Sequence, residues 1–86
     1  MSLKGKTAII TGSTSGIGLG LAHGFAAQGI NIVMNGFGDA GEIEKERLAL
    51  EAAGVKAVYH GADMTKPDDI QAMIEGAAED FGSVDI

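Results

Sequence analysis

Residues 7–18 read TAIITGSTSGIG. Thr7 to Ile10 is a short β-branched run that is apolar on both faces, the pattern of a strand buried in a parallel sheet. Thr11 to Gly18 then crowds three glycines and four hydroxyl side chains into eight positions. From Gly16 onward the apolar spacing turns helical, with Ile17, Leu21 and Phe25 at i, i+4 and i+8. A glycine-rich turn joining a parallel strand to a helix lies at the carboxyl edge of the sheet, where ligands of open α/β sheets bind. The first helical turn offers unpaired N–H groups and the positive end of the helix dipole, which suits a phosphate. Gly12 serves the tight turn, Gly16 lets backbone approach a pyrophosphate, and Gly18 permits close packing of helix on strand. Ser13, Thr14 and Ser15 add hydroxyls for neutral hydrogen bonds. The expected occupant is the pyrophosphate of a dinucleotide.

Two commoner phosphate loops do not fit these letters. GxxxxGK[ST] fails because Ile17 stands five residues after Gly12 and no lysine is near. GxGxxG fails because Leu21 stands three residues after Gly18. The spacing is GxxxGxG, preceded by Thr11.

The rest of the chain repeats the strand–helix theme. Ile30 to Met34 reads as a second strand, followed by the loop NGFGDAG. Glu42 to Ala53 reads as a second helix with Ile43 and Leu50 inward, and with i, i+3 charge pairs Glu42–Lys45 and Glu44–Arg47 on its solvated face. Val55 to His60 is a third strand running into GADM. Thr65 is placed as the N-cap of a third helix, with Pro67 in its first turn and Asp68 completing a near capping box. Ile70, Met73, Ile74, Ala77 and Phe81 form its buried stripe, and Gly82 closes it. Gly16, Gly20 and Gly24 line one stripe of the first helix at four-residue spacing and suggest close approach to a neighbouring backbone.

This β-α-β-α-β-α order, with crossovers long enough to join parallel strands, predicts an α/β fold: one half of a doubly wound parallel sheet with strand order 3-2-1. Ser83 to Ile86 reads as the opening of a fourth strand that would lie against the first. Without it the apolar first strand is a bare edge, which soluble proteins avoid. Residues 1–86 are therefore expected to be the amino-terminal part of a single dinucleotide-binding domain, with the fourth strand cut at the C-terminus.

Composition narrows the function classes. A chain of 86 residues holds at most one small domain, and 45% hydrophobic content excludes a disordered chain. The net charge of −6 and the lack of a basic cluster argue against a nucleic-acid partner. No apolar run approaches the roughly 20 residues of a membrane span. The run after MSLKGK is too short for a signal-peptide core, and there is no cysteine, so a cytoplasmic location is expected and thiolate metal sites are excluded.

Thr11-Gly12-Ser13-Thr14-Ser15-Gly16-Ile17-Gly18 matches TGxxxGxG, and with GADM after strand three and GSVDI near the end it resembles the short-chain dehydrogenase/reductase family along the whole chain. The resemblance implies a Rossmann-type fold and an oxidoreductase. It also implies that Thr14, Ser15 and Ile17 contact the dinucleotide, and that Asp63 and Met64 hold the adenine with Ala62 beside them. The family's serine, tyrosine and lysine have no counterparts here. Tyr59 is the only tyrosine, Asp63 rather than lysine stands four residues on, and Tyr59 reads as a packing residue. His23 and His60 read as structural or surface residues. No catalytic or metal-ligating residue is assigned.

Cofactor choice is read at the end of strand two, where an acid binds the ribose hydroxyls of NAD. Gly36 occupies that register and Phe37 follows, so the usual acid is absent, and Asp39 could replace it only if the loop folds back. No arginine or lysine lies in NGFGDAG or in the glycine loop to meet the extra phosphate of NADP. NAD is the expected cofactor. NGFGDAGEIEKER, TGSTSGIGLGLA and AAQGINIV resemble an NAD-dependent branch of the family that oxidises a small hydroxy acid to its keto acid and forms homotetramers. The resemblance places Phe37 against the adenosine. Two alternatives stay open: an NADP-dependent 3-ketoacyl reductase of the same family, and a non-catalytic dinucleotide-binding fragment.

Overall fold

The computed structural model describes residues 4–14 and 16–82. Ser15 and the expected fourth strand at 83–86 lie outside the described residues. Strands β1 (Thr7–Ile10), β2 (Asn31–Met34) and β3 (Ala57–Tyr59) alternate with helices α1 (Gly16–Ala27), α2 (Ala40–Glu51) and α3 (Pro67–Phe81). The strands form one parallel sheet in the order β1-β2-β3, the expected 3-2-1 arrangement. Ile10 pairs with Met34, and Met34 with Tyr59, so the three strands end level with one another.

Alternation along the strands splits the core into two layers. Ala8, Ile10, Ile32, Met34 and Ala57 point to one face and pack with Ala22, Ala26, Ile30 and Leu50. Ile9, Val33 and Val58 point to the other, toward Ala62, Met73, Ala77 and Phe81. Helices α1 and α2 thus cover one face and α3 the other. This is why Thr7–Ile10 reads as a strand apolar on both faces.

Helix α1 differs from its expected packing. Ile17 and Leu21 are 86% and 51% exposed, and the residues buried on the sheet are Ala22 and Ala26. Gly20 and Gly24 face open space, so the expected close approach along the Gly16, Gly20 and Gly24 stripe is not made. Gly18 makes it instead. Its neighbours at i+4 and i+8 are the small residues Ala22 and Ala26, and this narrow face lets α1 settle onto the strands. The large side chains are thereby turned outward, with Phe25 packing at the margin of the core.

Helix α2 begins two residues before its expected start because Asp39 caps it, its Oδ2 accepting from the Glu42 N–H at 3.1 Å. Ile43 and Leu50 are buried as expected. The Glu44–Arg47 pair forms, with Nη2 to Oε1 at 2.6 Å. Arg47 also reaches Glu51 and donates to the Ala57 carbonyl at 3.0 Å, so part of this charged face clamps α2 to β3.

Helix α3 is capped by Lys66 rather than Thr65, with no side-chain cap bond and Pro67 in the first turn. The Thr65 hydroxyl donates to Asp63 Oδ1 at 2.7 Å and is thereby drawn away from the helix. Met73 and Ala77 are buried, whereas Ile74 is 46% exposed and falls outside the expected stripe. Gly82 ends the helix in the left-handed conformation, its N–H donating to the Ala78 carbonyl.

Candidate functional site

Because the strands end level, three loops meet at the carboxyl edge of the sheet: residues 11–15 after β1, 35–39 after β2 and 60–66 after β3. The first begins α1. Gly12 and Gly16 have φ of +64° and +60°, and a β-carbon on either would meet nothing within 4 Å. The space over this backbone is therefore open to a ligand. At Gly18 the reverse holds: a β-carbon there would lie 2.2 Å from the Gly12 carbonyl oxygen. The helix is thus seated directly on the turn that precedes it, and its first N–H groups stand at the mouth of the site. The three glycine roles read from the sequence are geometrically distinct.

The second loop is fixed from both sides. Thr14 Oγ1 donates to the Phe37 carbonyl at 2.8 Å, and the Tyr59 hydroxyl donates to the Gly36 carbonyl. A β-carbon on Gly36 would meet Thr14 Oγ1 at 2.8 Å, which gives a steric reason for the missing acid at this register. The Phe37 side chain stands 81% exposed on this rim. Asp39 does not fold back toward the glycine loop, because its carboxylate is engaged at the N-terminus of α2.

In the third loop Ala62 is buried and Asp63 and Met64 are half-buried. Asp63 Oδ1 accepts from both the N–H and the hydroxyl of Thr65, at 2.9 and 2.7 Å. The Thr65 hydroxyl, then its N–H, hold the Asp63 carboxyl below the usual carboxylate range, against a smaller opposing effect of burial. Asp63 is therefore an ionised acceptor at neutral pH.

Sequence reasoning missed the residue that joins these loops. Asn35 is 2% exposed. Its backbone pairs with Ser13, carbonyl to the Ser13 N–H at 2.7 Å and N–H to Ser13 Oγ at 3.0 Å. Its side-chain Nδ2 donates to the carbonyls of His60 and Ala62, at 2.9 and 3.0 Å. One available signal was a polar residue directly after the apolar run Ile32–Met34, which must be hydrogen-bonded if buried.

The other titratable candidates stay outside this cluster's chemistry. His23 bridges to Glu46 on α2 at 3.4 Å, at the surface. His60 contributes its carbonyl to the Asn35 amide, and its Nδ1 is buried without a partner. Tyr59 is exposed and its hydroxyl donates to the Gly36 carbonyl. Among the described residues no group of acidic or histidine side chains is arranged to hold a metal ion.

The sequence profile of the family described as short chain dehydrogenase matches residues 6–86. The chain belongs to the short-chain dehydrogenase family. Within that family it is 55% identical over 84 residues to D-beta-hydroxybutyrate dehydrogenase of Cupriavidus necator, covering 98% of this chain and 32% of the relative. It is 50% identical over 84 residues to the enzyme of the same name from Rhizobium meliloti, covering 94% of this chain and 32% of the relative. Among solved structures, L-sorbose reductase of Gluconobacter frateurii, complexed with NADPH and L-sorbose, superposes with a TM-score of 0.87 at 34% identity. That match covers 98% of this chain and 32% of the reductase. The chain spans about a third of the length of the curated relatives it matches. As a short-chain dehydrogenase, the chain places its glycine loop, Phe37 rim and Ala62–Met64 wall around one edge of a Rossmann-type sheet.

Proposed function

We propose that these residues form the dinucleotide-binding half of an NAD-dependent oxidoreductase that oxidises D-3-hydroxybutyrate to acetoacetate. The observation that carries the reading is the open backbone over Gly12 and Gly16 beside the Gly12–Gly18 contact, a cradle at a helix N-terminus that suits a pyrophosphate. The residues present fit the group. Gly12, Gly16 and Gly18 shape the cradle, while Thr14 and Ile17 flank it, as Ser15 is expected to. Phe37 offers an exposed apolar face for the adenosine. Ala62, Asp63 and Met64 form the wall beyond it, with the Asp63 carboxylate as acceptor for the adenine amino group.

NAD supplies the hydride acceptor when bound; the chain's own residues bind and orient it. The choice of NAD over NADP is supported by the rim itself. Its one charged side chain is the anionic Asp39, and it carries no cation to meet a 2′-phosphate. The substrate is supported by the identity of 50–55% to two enzymes named for hydroxybutyrate. The serine, tyrosine and lysine required by the family's chemistry are not assigned to any of these residues. We place the protein in the cytoplasm as a homotetramer, on the same resemblance.

The test is reduction of NAD and NADP by the full-length protein with each enantiomer of 3-hydroxybutyrate. Turnover of the D-enantiomer with NAD is expected. The second reading, an NADP-dependent ketoacyl reductase, draws on the family's NADPH-bound member. Preference for NADPH with a 3-ketoacyl thioester would establish it in place of the first.

A further inference from the structure

Among the described residues, Asn35 is the one buried side chain at the carboxyl edge that contacts the segment forming the adenine wall while its own backbone grips the glycine loop. The two contacts use different atoms. The Ser13 N–H and Oγ engage the Asn35 backbone, at 2.7 and 3.0 Å. The two Nδ2 hydrogens of Asn35 go to the carbonyls of His60 and Ala62. Ser13 is itself fully buried, so the backbone contact is closed to solvent, while the Nδ2 contacts reach the half-buried His60 and the buried Ala62. Only an amide satisfies the second pair. A carboxylate of the same shape would face two carbonyl oxygens without a donor, and alanine would leave both carbonyls unpaired.

We propose that Asn35 is a positioning residue for the dinucleotide, setting the separation of the pyrophosphate loop and the adenine wall by holding Ser13 with its backbone and residues 60–62 with its side chain. The proposal rests on the dinucleotide reading above. The two ends of one ligand are thereby gripped by loops that share a single buried joint. Freeing the side chain lets the Ala62–Met64 wall move relative to the cradle, while the chemistry at the far end of the cofactor is untouched.

The experiment uses the full-length protein, with Asn35→Ala and the isosteric Asn35→Asp compared with wild type. Arg47→Met serves as the control, since Arg47 clamps α2 to β3 away from the site. Both Asn35 variants are expected to raise the KM for NAD and the inhibition constant of 5′-AMP together, by about tenfold, with kcat within about twofold of wild type. A merely structural role would instead reduce the folded fraction, lowering kcat at unchanged KM, as expected of Arg47→Met. That pattern in the Asn35 variants would overturn the proposal.

A measurement on wild type keeps it testable if the variants do not fold. Adenosine, which carries no phosphate, is expected to slow amide exchange at Ser13 as well as in residues 60–64. Protection confined to 60–64 would overturn the proposal while leaving the dinucleotide reading intact. Failure of wild type to bind NAD or 5′-AMP at all would overturn both.

Discussion

The carbonyl oxygen of Gly12 occupies the place a side chain on Gly18 would need, 2.2 Å from where its β-carbon would stand. The contact is backbone against backbone, so neither partner can swing aside. It fixes where α1 starts relative to β1, and with that the position of every N–H group at the mouth of the site.

Replacing Gly18 by alanine is therefore expected to displace the glycine loop. Overpacking of this kind costs about 1–3 kcal/mol. NAD affinity should fall along with the melting temperature, whereas Gly20→Ala, at a position facing open space, should stabilise α1 by up to about 1 kcal/mol. Thermal melts of the two variants with and without NAD check the contrast.

Cofactor preference should respond to charge on the Phe37 rim. Phe37→Arg puts a guanidinium beside the ribose position, and a charge-assisted bond to a 2′-phosphate contributes about 1.5–3 kcal/mol. The ratio of kcat/KM for NADP over NAD is expected to rise at least about tenfold. An unchanged ratio would mean that Phe37 does not lie beside the adenosine.

Acid sensitivity should trace to Asp63. Its folded-state pKa is lowered by Thr65, so its contribution to stability is complete above the unfolded-state value and is lost as pH falls through the folded value. Thr65→Val removes the largest of these effects. The variant should be less stable than wild type at neutral pH, and the gap should close as pH falls below about 4. Unfolding free energies across that range, with an NMR titration of the Asp63 carboxyl, decide the matter. Glu44, lowered by its hydrogen bond to Arg47, follows the same sign through a different pair.

At Asp39 a capping role predicts a specific order among variants. Asp39→Ala is expected to lose about 1 kcal/mol, and Asp39→Asn, which keeps an oxygen for the Glu42 N–H, much less. If NAD binding depended on the carboxylate, both variants would lose affinity equally, which chemical denaturation and cofactor titration would separate.

Tyr59, whose hydroxyl serves the Gly36 carbonyl, should be dispensable for turnover. Tyr59→Phe is expected to keep kcat within about threefold. A loss of several orders of magnitude in steady-state turnover would assign it a catalytic role.

Much of this was legible in the letters. The β1 run Thr7–Ile10, the glycine loop, the strand order and the inward residues Ile43, Leu50, Met73 and Ala77 follow from short-range rules, because buried parallel strands must be apolar on both faces and a cradle for phosphate must be cleared of side chains. Boundaries were less legible. The capping oxygen of Asp39 moved the start of α2, and the preference of the Thr65 hydroxyl for Asp63 left α3 to Lys66 and Pro67. Each choice turns on one hydrogen bond that has a near-equal rival in the sequence.

What the sequence determined by itself is the order of elements and the parallel sheet they build, since each apolar strand is followed by a helix long enough to cross back over it. Tertiary structure alone decided which face of α1 is buried. Ile17 and Leu21 are the more hydrophobic stripe, yet the small face of Gly18, Ala22 and Ala26 wins, because the Gly12 carbonyl admits nothing larger than hydrogen at position 18. It also decided the role of Asn35. Its partners Ser13, His60 and Ala62 lie 22 to 27 residues away in the chain and meet only when three strands end level in one sheet.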